Sequence, residues 1–301
     1  MSIRSICLRT LVVCAALLPF ASTATAQTGD PLTRSYPPED CPSCAEWDEP
    51  QKPFRIHGQT YYVGTRGLAA LLITSPEGHV LIDGGLPSSA PLILDNVRTL
   101  GFAPGDIRLI LNSHPHFDHA GVIAALQRAS GARVAASEPS APVLERGASL
   151  VGDPQHGELL DFPAISKVAR FADGDTLRVG SIAVTAHLTP GHTPGGTSWA
   201  WRSCDAAGCI DLVYADSQTP ISADGFRFSD SRDYPDAVAD FERGLSTLET
   251  IRCDILITPH PGASSLWERV ERGRLVDAEA CDRYAATGRR QLERRLEAER
   301  R

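Results

Sequence analysis

The chain has 301 residues, enough to bury the core of one large domain or two small ones. Its 29 basic and 37 acidic side chains give a formal net charge of −8, which disfavours nucleic acid and anionic membranes as partners. No proline- or serine-rich linker divides the chain, so composition favours one domain that acts on a small molecule.

The first predicted element in chain order is an export signal at residues 1–26. Two arginines precede an apolar stretch, residues 11–20, and an Ala-Thr-Ala sequence follows at residues 24–26. This order is typical of a secretory signal peptide with an A-x-A cleavage site. The apolar stretch is too short to cross a bilayer, so we expect no membrane attachment after cleavage. Residues 27–301 would then form a single domain, which we expect to be a monomer in the periplasm.

Six cysteines remain after this cleavage, and an even number in an exported chain indicates disulfide bonds. Proximity along the chain predicts the pairs Cys41–Cys44, Cys204–Cys209 and Cys253–Cys281, although six cysteines allow fifteen pairings. A zinc site at the CPSC sequence, residues 41–44, is the alternative for the first pair.

Four short β-rich segments follow within residues 54–85 and predict a meandering antiparallel sheet. Apolar residues then recur at helical spacing in residues 90–101 and 121–130, and each predicted helix leads into a strand, at 107–113 and 133–137.

The second half repeats this alternation. It predicts a hairpin over Asp173–Leu188, strands at 198–201 and 210–217, a helix at 237–251, a buried strand at 254–258 and a C-terminal helix. Strands and helices thus alternate twice, which indicates an α/β fold with two halves. The charge run RRQLERRLEAERR at the end, residues 289–301, favours a solvated helix with i,i+4 ion pairs over a binding arm.

The sequence LNSHPHFDHAG, residues 111–121, places three histidines and one aspartate within six residues. Residues two apart on an extended chain point the same way, so His114 and His116 would converge on one point beyond a strand. Asp118 and His119 lie on the turn into the next helix and would face a second point. Because imidazole and carboxylate groups suit zinc-like ions, the cluster predicts two neighbouring metal ions.

Two ions need further ligands, and two other histidines stand in suitable places. His192 in TPGHTPGG and His260 in ITPHPGAS each follow a strand-like segment and lie in a glycine- and proline-rich loop. We interpret His57, His79 and His187 as packing or surface residues of strands, whereas His156 either lines a pocket or is a plain loop residue. His192 and His260 are therefore the predicted additional ligands.

The pattern resembles the metallo-β-lactamase superfamily, whose signature is H-x-H-x-D-H followed by two separate histidines. The resemblance extends through LIDGGLP, LNSHPHFDHAG, LTPGHTPGGTSW, YADS and ITPHPGAS, in the order and spacing of the third (B3) subclass of metallo-β-lactamases. It implies a four-layer αββα sandwich with two zinc ions in a groove at the edge of its two sheets.

The resemblance also implies how the ligands divide between the ions. It implies that the first zinc is held by His114, His116 and His192 and the second by Asp118, His119 and His260. Asp118 would in addition be the catalytic residue that orients the attacking water. One departure is Pro115, which stands where a small residue is more usual and keeps His114 extended.

Two aspartates at predicted strand ends have open roles. In superfamily lactonases and thioester hydrolases the aspartate of the YADS position bridges both metals, whereas the B3 subclass has serine at the aligned position. We expect Ser217 to face the site and Asp216 to support a ligand from behind. Asp83 either orients a ligand histidine in the same way or caps its strand.

The resemblance implies zinc-dependent hydrolysis of the amide bond of β-lactam antibiotics, and hence antibiotic resistance. Zinc lowers the pKa of a bound water from 15.7 to about 7, which removes the need for a nucleophilic serine. Ser217 and Thr219 would bind the carboxylate of the substrate, and Gln155 would reach it from a flanking loop. The alternatives are a lactonase or thioesterase of the same superfamily and a secreted metal-binding protein without catalysis.

Overall fold

The computed structural model of the protein describes residues 30–301. The expected signal peptide, residues 1–26, lies outside the described residues. No helix within residues 30–301 is long and apolar enough to cross a membrane.

The first sheet contains seven strands, which lie side by side in chain order. They are β1 (Phe54–His57), β2 (Thr60–Tyr62), β3 (Leu71–Ser75), β4 (Gly78–Ile82), β5 (Ile107–Leu111), β6 (Arg133–Ser137) and β7 (Val168–Phe171). Neighbours from β1 to β4 are antiparallel, as the predicted meander requires, and those from β4 to β7 are parallel.

The second sheet contains five strands. They are β8 (Thr176–Val179), β9 (Ile182–Leu188), β10 (Thr197–Asp205), β11 (Gly208–Tyr214) and β12 (Ile255–Ile257). Their spatial order is β12-β11-β10-β9-β8, and within this sheet only β11 and β12 pair in parallel.

The described residues form eight α-helices, five of which cover the outer faces of the two sheets. They are α1 (Cys44–Trp47), α2 (Ala90–Thr99), α3 (Phe117–Ala120), α4 (Ile123–Ser130), α5 (Ala141–Arg146), α6 (Ala237–Thr250), α7 (Leu266–Glu271) and α8 (Ala280–Glu299). Short 3-10 helices occupy Pro31–Thr33, Pro87–Ser89, Pro104–Asp106, Phe228–Asp230 and Pro261–Ser264. Helices α2, α4 and α5 pack on the first sheet, whereas α6 and α8 pack on the second.

One large apolar core lies between the two sheets, and another lies between the first sheet and its helices. Strand β9 alternates apolar and partly exposed residues, so that Ile182, Val184 and Ala186 point inward. Trp199 and Trp201 of β10 extend the same core. Each large apolar side chain buried in this way stabilises the fold by about 1.5–3 kcal/mol. The layers confirm the expected αββα sandwich.

Most of the C-terminal charge run is exposed, as predicted, including Glu293, Arg294 and Glu297, but Arg295 and Glu299 turn toward the protein. Arg295 donates hydrogen bonds to Ser222 Oγ and to the carbonyl of Phe226, both at 2.7 Å. Glu299 accepts from Arg295 Nε at 2.7 Å and from the backbone N–H of Phe228 at 2.9 Å. The i,i+4 pair is present as expected, but it anchors the helix against a loop because both side chains turn toward the protein.

The structure joins the six cysteines as Cys41–Cys44, Cys204–Cys209 and Cys253–Cys281. These are the three pairs that proximity along the chain predicts. The first pair leaves neither sulfur of the CPSC sequence free for a metal ion, and it lies at the start of α1, the short helix that ends at Trp47.

Candidate metal centre

The predicted ligands lie in loops that meet at one edge of the sandwich. These are His114 and His116 after β5, Asp118 and His119 in α3, His192 between β9 and β10, and His260 after β12. Strand β5 belongs to the first sheet and β12 to the second, so the site lies where loops from both sheets converge. Residues separated by almost 150 positions in the sequence therefore come together.

The five imidazole rings of these loops form a single cluster. Neighbouring ring centroids lie between 4.4 and 5.0 Å apart. The ligand atoms of His114, His116 and His192 all lie within 4.8 Å of one another, and so do those of His114, Asp118 and His119. Such spacing suits metal ions between the side chains.

We call His114, His116 and His192 the three-histidine set. Each of these rings uses one nitrogen for a hydrogen bond to the protein. His114 Nδ1 lies 2.6 Å from Asp216 Oδ1, and His116 Nε2 lies 2.9 Å from Asp153 Oδ2. His192 Nδ1 donates to the backbone carbonyl of Thr219 at 2.8 Å. The other nitrogen of each ring is left for a metal ion, which is how protein-bound zinc sites commonly fix their histidines.

Two of these rings are neutral in the apo protein. Burial lowers the pKa of His114 well below its usual value, and neighbouring histidines lower it further. Burial also lowers the pKa of His192 to about 3. For His116 burial acts in the same direction, but the adjacent Asp153 carboxylate outweighs it and raises the pKa. A neutral imidazole keeps the lone pair that a metal ion needs.

We call Asp118, His119 and His260 the mixed set. Both His119 Nε2 and His260 Nε2 approach Asp118 Oδ2, at 3.2 and 3.1 Å. Burial alone would raise the pKa of Asp118, but these two histidines hold it well below its usual value. The carboxylate is therefore ionised at neutral pH and able to bind a cation.

The residues fit zinc on two counts. His114 Nε2 and His119 Nδ1 are buried and have no hydrogen-bond partner within residues 30–301, which a folded protein avoids unless another group satisfies them. The donors are imidazole nitrogens and one carboxylate, the combination that zinc prefers. Metal binding at this cluster follows from the geometry and the donor chemistry together.

Asp83 supports the site without touching a ligand ring. Its carboxylate accepts hydrogen bonds from Asn112, from Tyr214 at 2.9 Å, and from both the backbone N–H and the hydroxyl of Ser113. Its backbone adopts the left-handed region, with φ of 54°, a conformation that is uncommon outside glycine. Because Ser113 precedes His114, Asp83 fixes the backbone from which the first ligand projects.

Asp216 and Ser217 face different directions. Asp216 is fully buried behind His114, whereas Ser217 lines the cavity in front of the ligands. Gly196 allows this arrangement, since a Cβ atom at that position would collide with Asp216 Oδ2. Asp216 therefore contacts the His114 ring, whereas Ser217 faces the cavity.

A cavity of about 280 Å³ opens in front of both ligand sets. Ser217, Thr219 and Gln155, the predicted substrate contacts, all line it. The remaining wall is largely apolar, with Trp47, Phe117, Leu159, Ile221 and Ala263. The cavity therefore offers a few polar groups beside the ligands and an apolar surface around them.

Two contacts at the site carry no signal in the sequence. Asp153 lies in GDPQHG, where only Gln155 and His156 attract attention, yet it binds His116. Trp47 lies in the segment before the first strand, yet its ring centroid is 5.2 Å from that of His260. His156 instead bonds to Ser149 and is absent from the cavity wall. The Asp153–His116 and Trp47–His260 contacts each join segments that are distant in the sequence, and sequence spacing does not reveal such pairs.

Comparison with known proteins gives a consistent result. The family model described as "Metallo-beta-lactamase superfamily" matches residues 63–272. The chain is similar to the solved structure of the Rm3 metallo-beta-lactamase, with 49% identity, a TM-score of 0.85, and coverage of 87% of this chain and 99% of that one. It is also similar to MEM-A1, a subclass B3 metallo-beta-lactamase from a soil metagenome library, with 48% identity, a TM-score of 0.83, and coverage of 84% and 98%.

A curated relative shows a shorter match. The N-acyl homoserine lactonase AttM of Rhizobium johnstonii is 34% identical in an alignment 74 positions long, which covers 17% of this chain and 28% of the relative. The match thus takes in little more than a quarter of the lactonase, in contrast to the nearly complete coverage of the two solved structures.

Proposed function

As the chain belongs to the metallo-β-lactamase superfamily, we propose that it hydrolyses the amide bond of β-lactam antibiotics with two zinc ions. The substrates would be penicillins, cephalosporins and carbapenems, and the biological result antibiotic resistance. The observation that carries this proposal is that the three-histidine set and the mixed set lie side by side and open into one cavity. The likeness to B3 enzymes over more than four fifths of the chain supports it.

The three-histidine set would hold one zinc ion and the mixed set the other. When bound, zinc supplies a Lewis acid that polarises the carbonyl and lowers the pKa of a water to about 7. The hydrogen bonds that hold the rings of His114, His116 and His192 leave one nitrogen of each ring available to a metal ion. Because the rings are already held in place, little reorganisation would accompany zinc binding.

Asp118 would act on the attacking water. Its carboxylate is ionised at neutral pH because of the two adjacent histidines, so it can accept a hydrogen bond from that water and aim its lone pair at the carbonyl. A nucleophilic serine is not required for this reaction. Asp118 is thus both a ligand and the proposed catalytic residue.

The cavity wall would bind the rest of the substrate. β-Lactam antibiotics carry a carboxylate, and the hydroxyls of Ser217 and Thr219 can donate hydrogen bonds to it. The amide of Gln155 offers a further donor from the opposite loop. Trp47, Leu159 and Ile221 provide apolar contact for the substituents of the ring system.

Lactone hydrolysis is the second candidate function, because part of the chain is similar to an N-acyl homoserine lactonase. Superfamily lactonases use the aspartate of the YADS position to bridge two metals. Here Asp216 is fully buried and its Oδ1 atom is engaged by His114, while Ser217 lines the cavity. This geometry favours the β-lactam over the lactone.

Hydrolysis by the purified protein, residues 27–301, tests the proposal. A carbapenem and a cephalosporin would be the substrates, an acyl-homoserine lactone the comparison, and each reaction would run with and without a chelator. We expect rapid β-lactam opening that the chelator abolishes and added zinc restores. Lactone opening without β-lactam opening would replace the first function by the second, and activity that survives complete zinc removal would contradict both.

The proposal includes export to the periplasm as a monomer after cleavage behind residue 26. Three disulfides support an oxidising compartment. Recovery of the protein from a periplasmic fraction, with an N-terminus at residue 27 and the mass of a monomer in solution, is the expected result. An intact leader in that fraction would contradict the cleavage site.

A further inference from the structure

We propose that Asp153 is a positioning residue for the zinc centre, one that fixes the orientation of His116 and links it to the loop that bounds the cavity. The inference rests on the proposed binding of zinc by the three-histidine set. It does not require that β-lactams be the substrate.

Both carboxylate oxygens of Asp153 are in use. Oδ2 accepts a hydrogen bond from His116 Nε2 at 2.9 Å, and Oδ1 accepts one from the backbone N–H of Gln155 at 2.8 Å. The residue is only 7% exposed, so water competes little for either bond. Asp153 therefore holds a ligand ring with one oxygen and its own loop with the other.

His116 is held through the opposite ring nitrogen from its two neighbours. His114 and His192 are each held through Nδ1, which leaves Nε2 for a metal. His116 is held through Nε2, so the nitrogen that remains is Nδ1. A neutral imidazole carries its proton on either nitrogen, and the hydrogen bond of one nitrogen decides which atom binds the metal. Asp153 is the acceptor that keeps the proton of His116 on Nε2.

The same contact connects the metal centre with the substrate side of the cavity. Asp153 lies in the irregular segment between α5 and β7, which also supplies Gln155 and Leu159 to the cavity wall. Gln155 N–H is tied directly to Asp153 Oδ1. A displacement of this loop would therefore turn the His116 ring, and a poorly held ring would in turn loosen the loop.

Two substitutions separate a positioning role from a purely structural one. Asp153→Ala removes both hydrogen bonds. Asp153→Asn keeps an oxygen that can accept from Nε2 but adds an amide that can donate to it, so the preferred tautomer is no longer enforced. Glu158→Gln is the matched control, since it removes a negative charge from the same loop, where Glu158 accepts from the backbone N–H of Asp224 and forms no ion pair with a histidine within residues 30–301.

The readouts are zinc affinity by competition with a chromophoric chelator, the absorption spectrum of the cobalt-substituted protein, and the thermal stability of the metal-free protein. Removing such a partner of a ligand histidine typically lowers metal affinity or activity 10- to 100-fold. We expect a loss of about that size for the first ion in Asp153→Ala, a smaller loss with an altered cobalt spectrum in Asp153→Asn, and no change in Glu158→Gln.

Unchanged zinc affinity and cobalt spectrum in Asp153→Ala would overturn the inference. A loss of affinity that merely follows a collapse in the thermal stability of the metal-free Asp153→Asn protein would overturn it too, because that result indicates a structural role alone. If the unmodified protein binds zinc but opens no β-lactam, the proposed substrate fails while the role of Asp153 is still measured. If it binds no zinc, both fail together.

Discussion

The two ligand sets of the metal centre differ in how firmly the protein holds them. In the three-histidine set every ring is buried and one nitrogen of each is bonded to a fixed acceptor. In the mixed set His119 has no ring partner within the described residues other than the nearby Asp118, and the side chain of His260 is 34% exposed. If each set holds one zinc ion, as proposed, the first site is preorganised, whereas the second takes its final geometry only when the ion binds.

The local structure explains this contrast. His114 and His116 leave a buried strand whose backbone Asp83 anchors at Ser113, so their rings have a rigid base. His260 begins a short 3-10 helix at the surface, and its ring rests on Trp47. Because preorganised ligands bind with less loss of conformational freedom, we expect the first ion to bind more tightly than the second.

The largest expected effect comes from removing one loop histidine of each set. His192→Ala and His260→Ala form a matched pair, since each residue follows a strand of the second sheet and lies in a loop. His192→Ala should lower β-lactam hydrolysis by more than about 100-fold, beyond the range for partners of ligands, because it opens the preorganised site. His260→Ala should retain one tightly bound zinc per chain and recover part of its activity in excess zinc.

Zinc content after dialysis, measured beside steady-state kinetics, checks this pair. The result that would contradict the comparison is the reverse order, with one tight ion retained in His192→Ala and none in His260→Ala. Equal losses in both variants would show that the two sites bind as a unit.

A smaller effect is expected from Trp47, which contacts only the mixed set of ligands, through His260. Trp47→Ala removes the aromatic contact of His260, and such contacts contribute about 0.5–1.5 kcal/mol. The affinity for the second zinc should fall about threefold to tenfold, while the affinity for the first should stay unchanged. Trp47→Phe, which keeps a ring at this position, is the control and should retain most of the affinity.

Stepwise zinc titration of the two Trp47 variants gives the measurement. An equal loss for both ions, accompanied by a lower melting temperature of the metal-free protein, would mean that Trp47 acts through the fold rather than through His260. Loss of the first ion alone would contradict the proposed division of ligands.

The sequence predicts the ligand residues better than it predicts what holds them. The spacing of His114, His116, Asp118 and His119 follows from strand and turn geometry, so a local pattern is sufficient to find them. Apolar periodicity predicts only that strands and helices alternate in two halves, whereas the αββα architecture, which the structure confirms, is implied by the family resemblance. The sequence does not identify Asp153 and Trp47 as site residues, because their contacts form only when segments distant in sequence meet at the edge of the two sheets.

The C-terminal tail is a second case in which the sequence predicts an element but not its contacts. Its alternating charges satisfy the pattern of a solvated helix, and helical spacing alone assigns no buried face to Arg295 or Glu299. Only the packing of α8 against the loop after β11 turns this pair inward. Charge composition therefore predicts the helix, whereas tertiary contact decides its role.

The smallest expected effect lies in this helix, which supports the three-histidine set from a distance. Thr219, whose carbonyl holds His192, belongs to the loop that Arg295 and Glu299 anchor near residues 222–229. The side chain of Glu299 is 5% exposed. Burial would raise its pKa, but the hydrogen bonds from Arg295 and Ser229 outweigh burial and lower the pKa to about 2.

Glu299→Gln should lower the free energy of unfolding by about 1–2 kcal/mol at pH 7, since it weakens hydrogen bonds to a charged group. Because the folded pKa lies below the unfolded value of 4.5, the carboxylate stabilises the fold above about pH 5 and loses that effect as the pH falls toward 2. Urea unfolding of the metal-free protein at pH 7 and pH 3 should therefore show a larger difference in the free energy of unfolding between variant and parent at pH 7.

Glu297→Gln, at an exposed position of the same helix, is the control and should match the parent at both pH values. A difference that grows toward pH 3 would contradict the assigned role, whereas a larger difference at pH 7 would support the view that the ionised Glu299 anchors the loop that also carries Thr219.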